Sequence, residues 1–221
     1  MKKILLLIVA VVIVAGAILF WVTNQSGTSQ TTKTQSTSQK NKETSKMAEN
    51  KTLIVYYSRT GNTKAVAELI HDRVGGDLVQ IETKEARPKD YRSEVSQNAQ
   101  EQNNNTLPAL KTKVSNFDDY NRVFIGTPTW NMALPQAVES FMNDYNFSGK
   151  IVIPFNTNGG YGAGSTFSQI KSGTKGAKVL DGFSVEGGQE TNGVLLAIKG
   201  NRRVEVAKEL DKWLQKINIE K

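Results

Sequence analysis

Leu53-Ile54-Val55-Tyr56-Tyr57-Ser58-Arg59-Thr60-Gly61-Asn62-Thr63 is the stretch that decides the fold. An apolar run of strand character stops in hydroxyls, an arginine, a glycine and an asparagine. Apolar residues at helical spacing (Ala65, Val66, Leu69, Ile70) follow at once. A strand-turn-helix junction of this kind gathers the unpaired N–H groups of a helix start and the positive end of its dipole behind side-chain oxygens. Such a place seats a phosphate. An ordinary helix cap needs one such oxygen; here Ser58, Thr60, Asn62 and Thr63 supply four around a single glycine. The segment therefore points to a phosphorylated cofactor.

Working outward, strand-like runs at 53–57, 78–81, 122–127, 151–155 and 178–183 alternate with helical patterns at 63–73, 91–103, 135–144, 165–172 and 202–217. Short runs rich in Val, Ile and Leu, separated by helices, predict an α/β fold with a parallel sheet covered on both faces. Right-handed crossovers place the ligand beyond the carboxyl ends of the strands. The polar stretch 82–110, interrupted by Pro88 and Pro108, is read as holding one helix.

Two further loops follow strand carboxyl ends. Gly126-Thr127-Pro128-Thr129-Trp130-Asn131-Met132-Ala133-Leu134-Pro135 carries a Trp that would be exposed unless something planar covers it. Pro135 suits the first turn of the next helix. Asn156-Thr157-Asn158-Gly159-Gly160-Tyr161-Gly162-Ala163-Gly164 has four glycines, which let backbone approach a ligand closely, and a second aromatic face. It lacks the spacing and the acidic partner of a dinucleotide fingerprint. One phosphate cradle and two loops with an aromatic each describe a pocket for a flat, monophosphorylated cofactor.

Composition narrows the choice. The 221 residues include no cysteine, which excludes disulfides, iron–sulfur clusters, zinc-thiolate sites and dithiol chemistry. The net charge is +7. Residues 1–50 hold six Lys against two Glu, leaving +3 for the rest, with no basic stripe interleaved with aromatics; nucleic acid is not an expected partner. The only histidine, His71, falls late in the first helix, away from the cofactor end.

Met1-Lys2-Lys3 precedes nineteen uncharged residues, 4–22. At about 1.5 Å per residue these reach about 28 Å as a helix, close to the hydrocarbon thickness of a bilayer. The flanking lysines leave the N-terminus in the cytoplasm and the remainder outside. Residues 1–23 are thus expected to be a single transmembrane anchor. The competing reading is a cleaved signal with its site at Ala15-Gly16-Ala17. The Ser/Thr/Gln/Lys-rich stretch 24–50 reads as a disordered linker, and 51–221 as the folded domain.

In this order, the three loops resemble those of the flavodoxin family, over about residues 52–217. The S-x-T-G-N-T loop is similar to its FMN-phosphate loop. The resemblance implies a doubly wound five-stranded parallel sheet in the order 2-1-3-4-5. It also implies FMN as cofactor. Ser58, Thr60, Asn62 and Thr63, with the N–H groups of Arg59 and Gly61, would hold the phosphate. Pro128, Thr129, Trp130, Asn131 and Met132 would line the isoalloxazine. Thr157, Asn158, Gly159, Gly160, Tyr161 and Gly162 would run along its other edge, with Tyr161 as a second cover. Relatives often carry a Trp and a Gly where this chain has Asn131 and Met132, and carriers of the family tend to be acidic where this domain is mildly basic.

The resemblance leads to an electron-transfer flavoprotein, tethered to the cell membrane with its folded domain outside. Its partner would be a redox protein or a membrane quinone. An FMN-dependent NAD(P)H:quinone or flavin reductase is the competing enzyme reading, and a colourless binding module that keeps the fold without redox use is the third. The carrier reading needs no side chain as acid or base, and no metal ligands are expected.

Overall fold

The computed structural model describes residues 51–219. The expected anchor at 1–23 and linker at 24–50 lie outside the described residues. Among the described residues, no helix is long and apolar enough to cross a membrane.

In chain order the strands are β1 (Thr52–Tyr56), β2 (Asp77–Gln80), β3 (Arg122–Pro128), β4 (Ile151–Asn158), β5 (Lys178–Val179) and β6 (Phe183–Glu186). The helices are α1 (Asn62–Val74), α2 (Tyr91–Asn104), α3 (Gln136–Asp144), α4 (Thr166–Gly173) and α5 (Gly200–Lys216). All strand pairs are parallel, and the sheet runs β2-β1-β3-β4-β5, with β6 also pairing with β4. The order is the expected one. The fifth position differs, because the predicted strand at 178–183 is two short strands. β4 has eight residues; β5 pairs with its start (Ile151↔Lys178) and β6 with its end (Phe155↔Phe183). Leu180 N–H still donates to Val152 O at 2.9 Å, and the chain leaves the sheet at Asp181-Gly182 between them.

Period-2 alternation explains why whole strands are apolar. Ile54 and Tyr56 face one core with Phe124, Ile153 and Phe155, closed by α1 and α5 through Val66, Ile70, Val206 and Leu210. Leu53 and Val55 face the other with Val123, Ile125 and Val152, closed by α3 and α4 through Val138, Phe141 and Ile170. Each fully buried aliphatic side chain contributes roughly 1.5–3 kcal/mol. The two layers hold the strand carboxyl ends at one rim.

The stretch after β2 is an excursion. Lys84 N–H donates to Ala109 O at 2.8 Å and Lys111 N–H to Glu82 O at 2.8 Å, so its two ends pair antiparallel. Between them lies α2, started by Asp90, whose carboxylate accepts from Ser93 N–H at 2.8 Å. Those hydrogen bonds to Ser93, backbone first, hold the Asp90 carboxyl below its ordinary range.

Candidate functional site

Gly61 takes φ +94° directly before α1, a conformation glycine adopts freely. The turn it makes leaves the backbone N–H groups of Thr60, Gly61, Asn62 and Thr63 without an acceptor among the described residues. Ser58 Oγ accepts from Lys64 N–H at 3.3 Å, and Thr60 Oγ1 accepts from Asn62 Nδ2 at 2.9 Å. Each hydroxyl keeps its own proton for another acceptor. A helix N-terminus with unpaired amides and free hydroxyl protons binds an anion without a cation.

Three side chains of this loop do other work. The Asn62 amide clasps the loop before α5: Nδ2 donates to Leu195 O at 2.6 Å, and Oδ1 accepts from Ala197 N–H at 3.0 Å and Ile198 N–H at 3.1 Å. Thr63 Oγ1 shares a buried hydrogen bond of 2.8 Å with Thr157 Oγ1, pinning α1 to the end of β4. The Arg59 guanidinium turns to the excursion, pairing with Glu94 and donating to Pro88 O at 3.1 Å and Lys89 O at 2.9 Å.

After β3, Trp130 and Ala133 exchange backbone hydrogen bonds at 3.0 Å each, making a two-residue hairpin. Asn131 and Met132 at its tip have φ +50° and +59°. Positive φ at both central positions is the demand of a type I′ turn, which usually falls on Asn-Gly. The Met132 carbonyl is held by Ser165 N–H at 2.8 Å and Ser165 Oγ at 2.9 Å. Gly164 passes so close to it that a Cβ there would lie 2.4 Å from Met132 O. Trp130 is half-buried, its ring edge-to-face with Tyr57 at 5.5 Å. Burial raises the Tyr57 pKa, against the nearby Arg87 and Arg59 charges, so its hydroxyl stays neutral.

After β4, Asn158 Oδ1 accepts from Gly160 N–H at 2.9 Å and Gly162 N–H at 3.0 Å and so shapes the glycine loop. Tyr161 projects from it, 67% exposed.

These loops border a cleft with two compartments. The first, about 120 Å³, is polar; Ser58, Thr60, Asn62, Thr63, Pro128, Thr157, Asn158 and Gly159 line it. The second, about 380 Å³, is more apolar and includes Asn131 and Met132. Arg59, Thr129, Trp130 and Tyr161 border both, as does Tyr91 of α2. The structure thus brings the expected residues to one rim; Gly61, Gly160 and Gly162 contribute backbone shape and line neither compartment. No carboxylate or histidine lines the polar compartment, and His71 sits in the last turn of α1.

Residues 51–196 match the family model described as Flavodoxin. The chain belongs to the flavodoxin family. Over 144 residues it is 28% identical to a flavodoxin of Nostoc sp. PCC 7120, covering 61% of this chain and 70% of that one. A candidate flavoprotein from Bacteroides eggerthii superposes with TM-score 0.63 at 27% identity, over 78% of this chain and all of that one. A Lactobacillus acidophilus flavoprotein crystallised with FMN shares the fold, with TM-score 0.53 at 23% identity, over 62% of this chain and 93% of that one.

Sequence reasoning missed two parts of the flavodoxin-family cleft. Gly187, Gly188, Gln189 and Thr191, just past β6, line the polar compartment. The glycine pair after the alternating Phe183-Ser184-Val185-Glu186 was the readable signal. The other part is α2, whose cleft-lining residues carry no pattern of their own.

Proposed function

We propose that this domain is an electron-transfer flavoprotein whose cofactor is FMN. The single observation that carries the reading is the anion nest: four acceptorless amides with two free hydroxyl protons, opening into a cleft that turns apolar and aromatic away from it. That gradient matches a molecule with a phosphate at one end and a flat ring at the other. The residues present fit the group. The amides of 60–63 and the hydroxyls of Ser58 and Thr60 would hold the phosphate. Trp130, Met132 and Tyr161 would flank the ring.

When bound, FMN supplies the ring that takes up and gives back electrons. The protein's part is to bind, orient and exclude water. Thr63 and Thr157 fix the distance between the nest and the β4 loop through their buried hydrogen bond. Asn158 holds the glycine loop in shape, and the Ser165 clamp fixes the hairpin that presents Trp130 and Met132. Arg59 is the one charged side chain lining the polar compartment, and no carboxylate or imidazole there could move a proton, which suits a carrier whose flavin does the chemistry.

The same proposal holds the domain at the cell membrane through residues 1–23, on the outer side, with a redox protein or a membrane quinone as partner. The uncharged run 4–22 behind two lysines supports it.

The test is an absorption spectrum of the purified full-length protein with and without added FMN, followed by stepwise reduction. A bound-flavin spectrum that bleaches reversibly is expected. A colourless protein unchanged by FMN refutes the reading. Steady turnover with NADH or NADPH and a quinone would assign it to the reductases instead.

A further inference from the structure

We propose that α2 is a fourth cofactor-binding element, in which Asn98 offers its Oδ1 to the imide N–H of the isoalloxazine ring. The proposal rests on the FMN reading above and adds a contact outside the three strand-end loops.

Position comes first. α2 lies against the Trp130 hairpin: Gln102 Nε2 donates to Trp130 O at 3.2 Å and Leu134 O at 2.9 Å, and Asn131 Nδ2 donates to Gln102 Oε1 at 3.2 Å. The apolar compartment is the space left between Tyr91, Val95 and Asn98 on α2 and Trp130, Met132 and Tyr161 opposite. Small-molecule sites usually occupy roughly 300 Å³ or more. The polar compartment has about 120 Å³ and the one beside α2 about 380 Å³. A ligand anchored in the nest therefore extends its ring toward α2.

Chemistry comes second. Helices normally turn an apolar stripe inward. α2 instead buries Glu94, Asn98 and Glu101, which share one face at i, i+4 and i+7. The two carboxylates have arginines: Arg59 and Arg87 for Glu94, and Arg87 for Glu101 at 2.5 Å. Asn98 is 2% exposed, and its Oδ1 is buried with no hydrogen-bond partner among the described residues. A buried acceptor left unpaired is costly, and a leucine would serve α2 better. The cost is removed if a ligand supplies the donor. The amide turns about a broad torsion and needs no backbone movement to present its oxygen. Oxidised isoalloxazine has a single ring N–H, the imide, and its other polar atoms accept. An orphan acceptor in the compartment that takes the ring complements that one donor.

The test compares full-length wild type and N98L, each titrated with FMN and with 3-methyl-FMN, which lacks the imide proton; the apo proteins are also melted. Loss of one hydrogen bond of ordinary strength weakens binding about tenfold. N98L is expected to bind FMN about tenfold more weakly than wild type. Wild type is expected to prefer FMN over 3-methyl-FMN by a similar factor, and N98L to bind the two alike. Apo N98L should melt at the wild-type temperature or above it, because an unpaired acceptor has been removed. A purely structural Asn98 gives a lower apo melting temperature and leaves the wild-type preference for FMN in place in N98L, which overturns the proposal. Equal FMN affinity of wild type and N98L overturns it too. Wild type that takes no FMN at all overturns the parent reading and this one together, and is recognised by the absence of any flavin signal.

Discussion

Replacing Met132 by glycine should make the empty protein more stable and the loaded protein weaker. Met132 stands at φ +59° in a two-residue hairpin whose other central residue is also left-handed. An L-residue with a Cβ loses about 1–2 kcal/mol in that region relative to its ordinary conformation. Glycine escapes the strain but adds about 0.4–1 kcal/mol of unfolded-state freedom. The side chain is 49% exposed, so its removal sacrifices little packing in the empty cleft. The net gain is about 0.5–1 kcal/mol, which in a domain of this size raises the melting temperature by roughly 1–4 °C. Met132 also lines the compartment proposed for the ring. Losing an adaptable thioether from that wall weakens FMN binding by roughly five- to tenfold. Thermal melts of apo M132G and fluorescence titration with FMN read the two effects separately. A lower apo melting temperature refutes the strain argument, and unchanged FMN affinity removes Met132 from the ring site.

Thr60→Glu places a carboxylate at the nest and should abolish FMN binding by charge repulsion; an unchanged titration curve would remove the phosphate from this loop. Asn62→Ala strips the acceptor from the amides of Ala197 and Ile198, and is expected to cost roughly 2 kcal/mol; faster hydrogen exchange at those two amides is the readout, and native protection contradicts it. Glu94→Leu leaves the Arg59 guanidinium without its buried carboxylate and should cost about 3 kcal/mol, measured by urea unfolding; a neutral result would mean that the pair does not hold α2. Burial first, and then the hydrogen bond it donates to Asp77 at 2.5 Å, push the Tyr120 pKa up to about 12. The neutral phenol is the favoured form, so its stabilisation is whole below the unfolded pKa of about 10 and is lost as pH rises from there toward 12. Y120F should flatten the fall in stability over that window; a profile parallel to wild type would exclude Tyr120 as its source.

Much of the frame was legible because both faces of the sheet are buried. Leu53 to Tyr56 are apolar without a break, and the hydroxyl loop that ends them announces the turn into α1. The fifth position was misread as one strand because Val179, Leu180 and Phe183 outweighed the turn signal of Asp181-Gly182 between them. The eight residues of β4 accommodate the two short partners end to end. The helix within 82–110 was legible, but neither its Asp90 cap nor its role was. Hydrophobic periodicity locates an inward face by its apolar residues, and the inward face of α2 is made of Glu94, Asn98 and Glu101. Likewise Asn62 and Arg59 read as phosphate ligands from their place in the loop. Their side-chain partners at Leu195, Ala197 and Glu94 are far away in sequence, and spacing gives no hint of them.

The position of Arg59 links these observations. An arginine beside a phosphate seat would ordinarily be expected to turn toward the anion. Here its guanidinium is committed to Glu94 and to two carbonyls of the excursion. The anion is then left to neutral donors, whose strength depends on geometry rather than on charge, so the loop must be held rigidly for them to converge. The clasp of Asn62 and the Thr63–Thr157 pair supply that rigidity from α1 and β4. Meanwhile the arginine's own charge fixes α2, which has no apolar stripe to hold it. One loop thereby sets both ends of the cleft: its backbone faces the phosphate seat, and its side chain positions the helix that borders the apolar compartment. A change that breaks the Arg59–Glu94 pair should therefore disturb ring affinity through a helix that supplies none of the nest amides. E94L is expected to lower affinity for FMN more than for inorganic phosphate, and an equal loss for both would break that link.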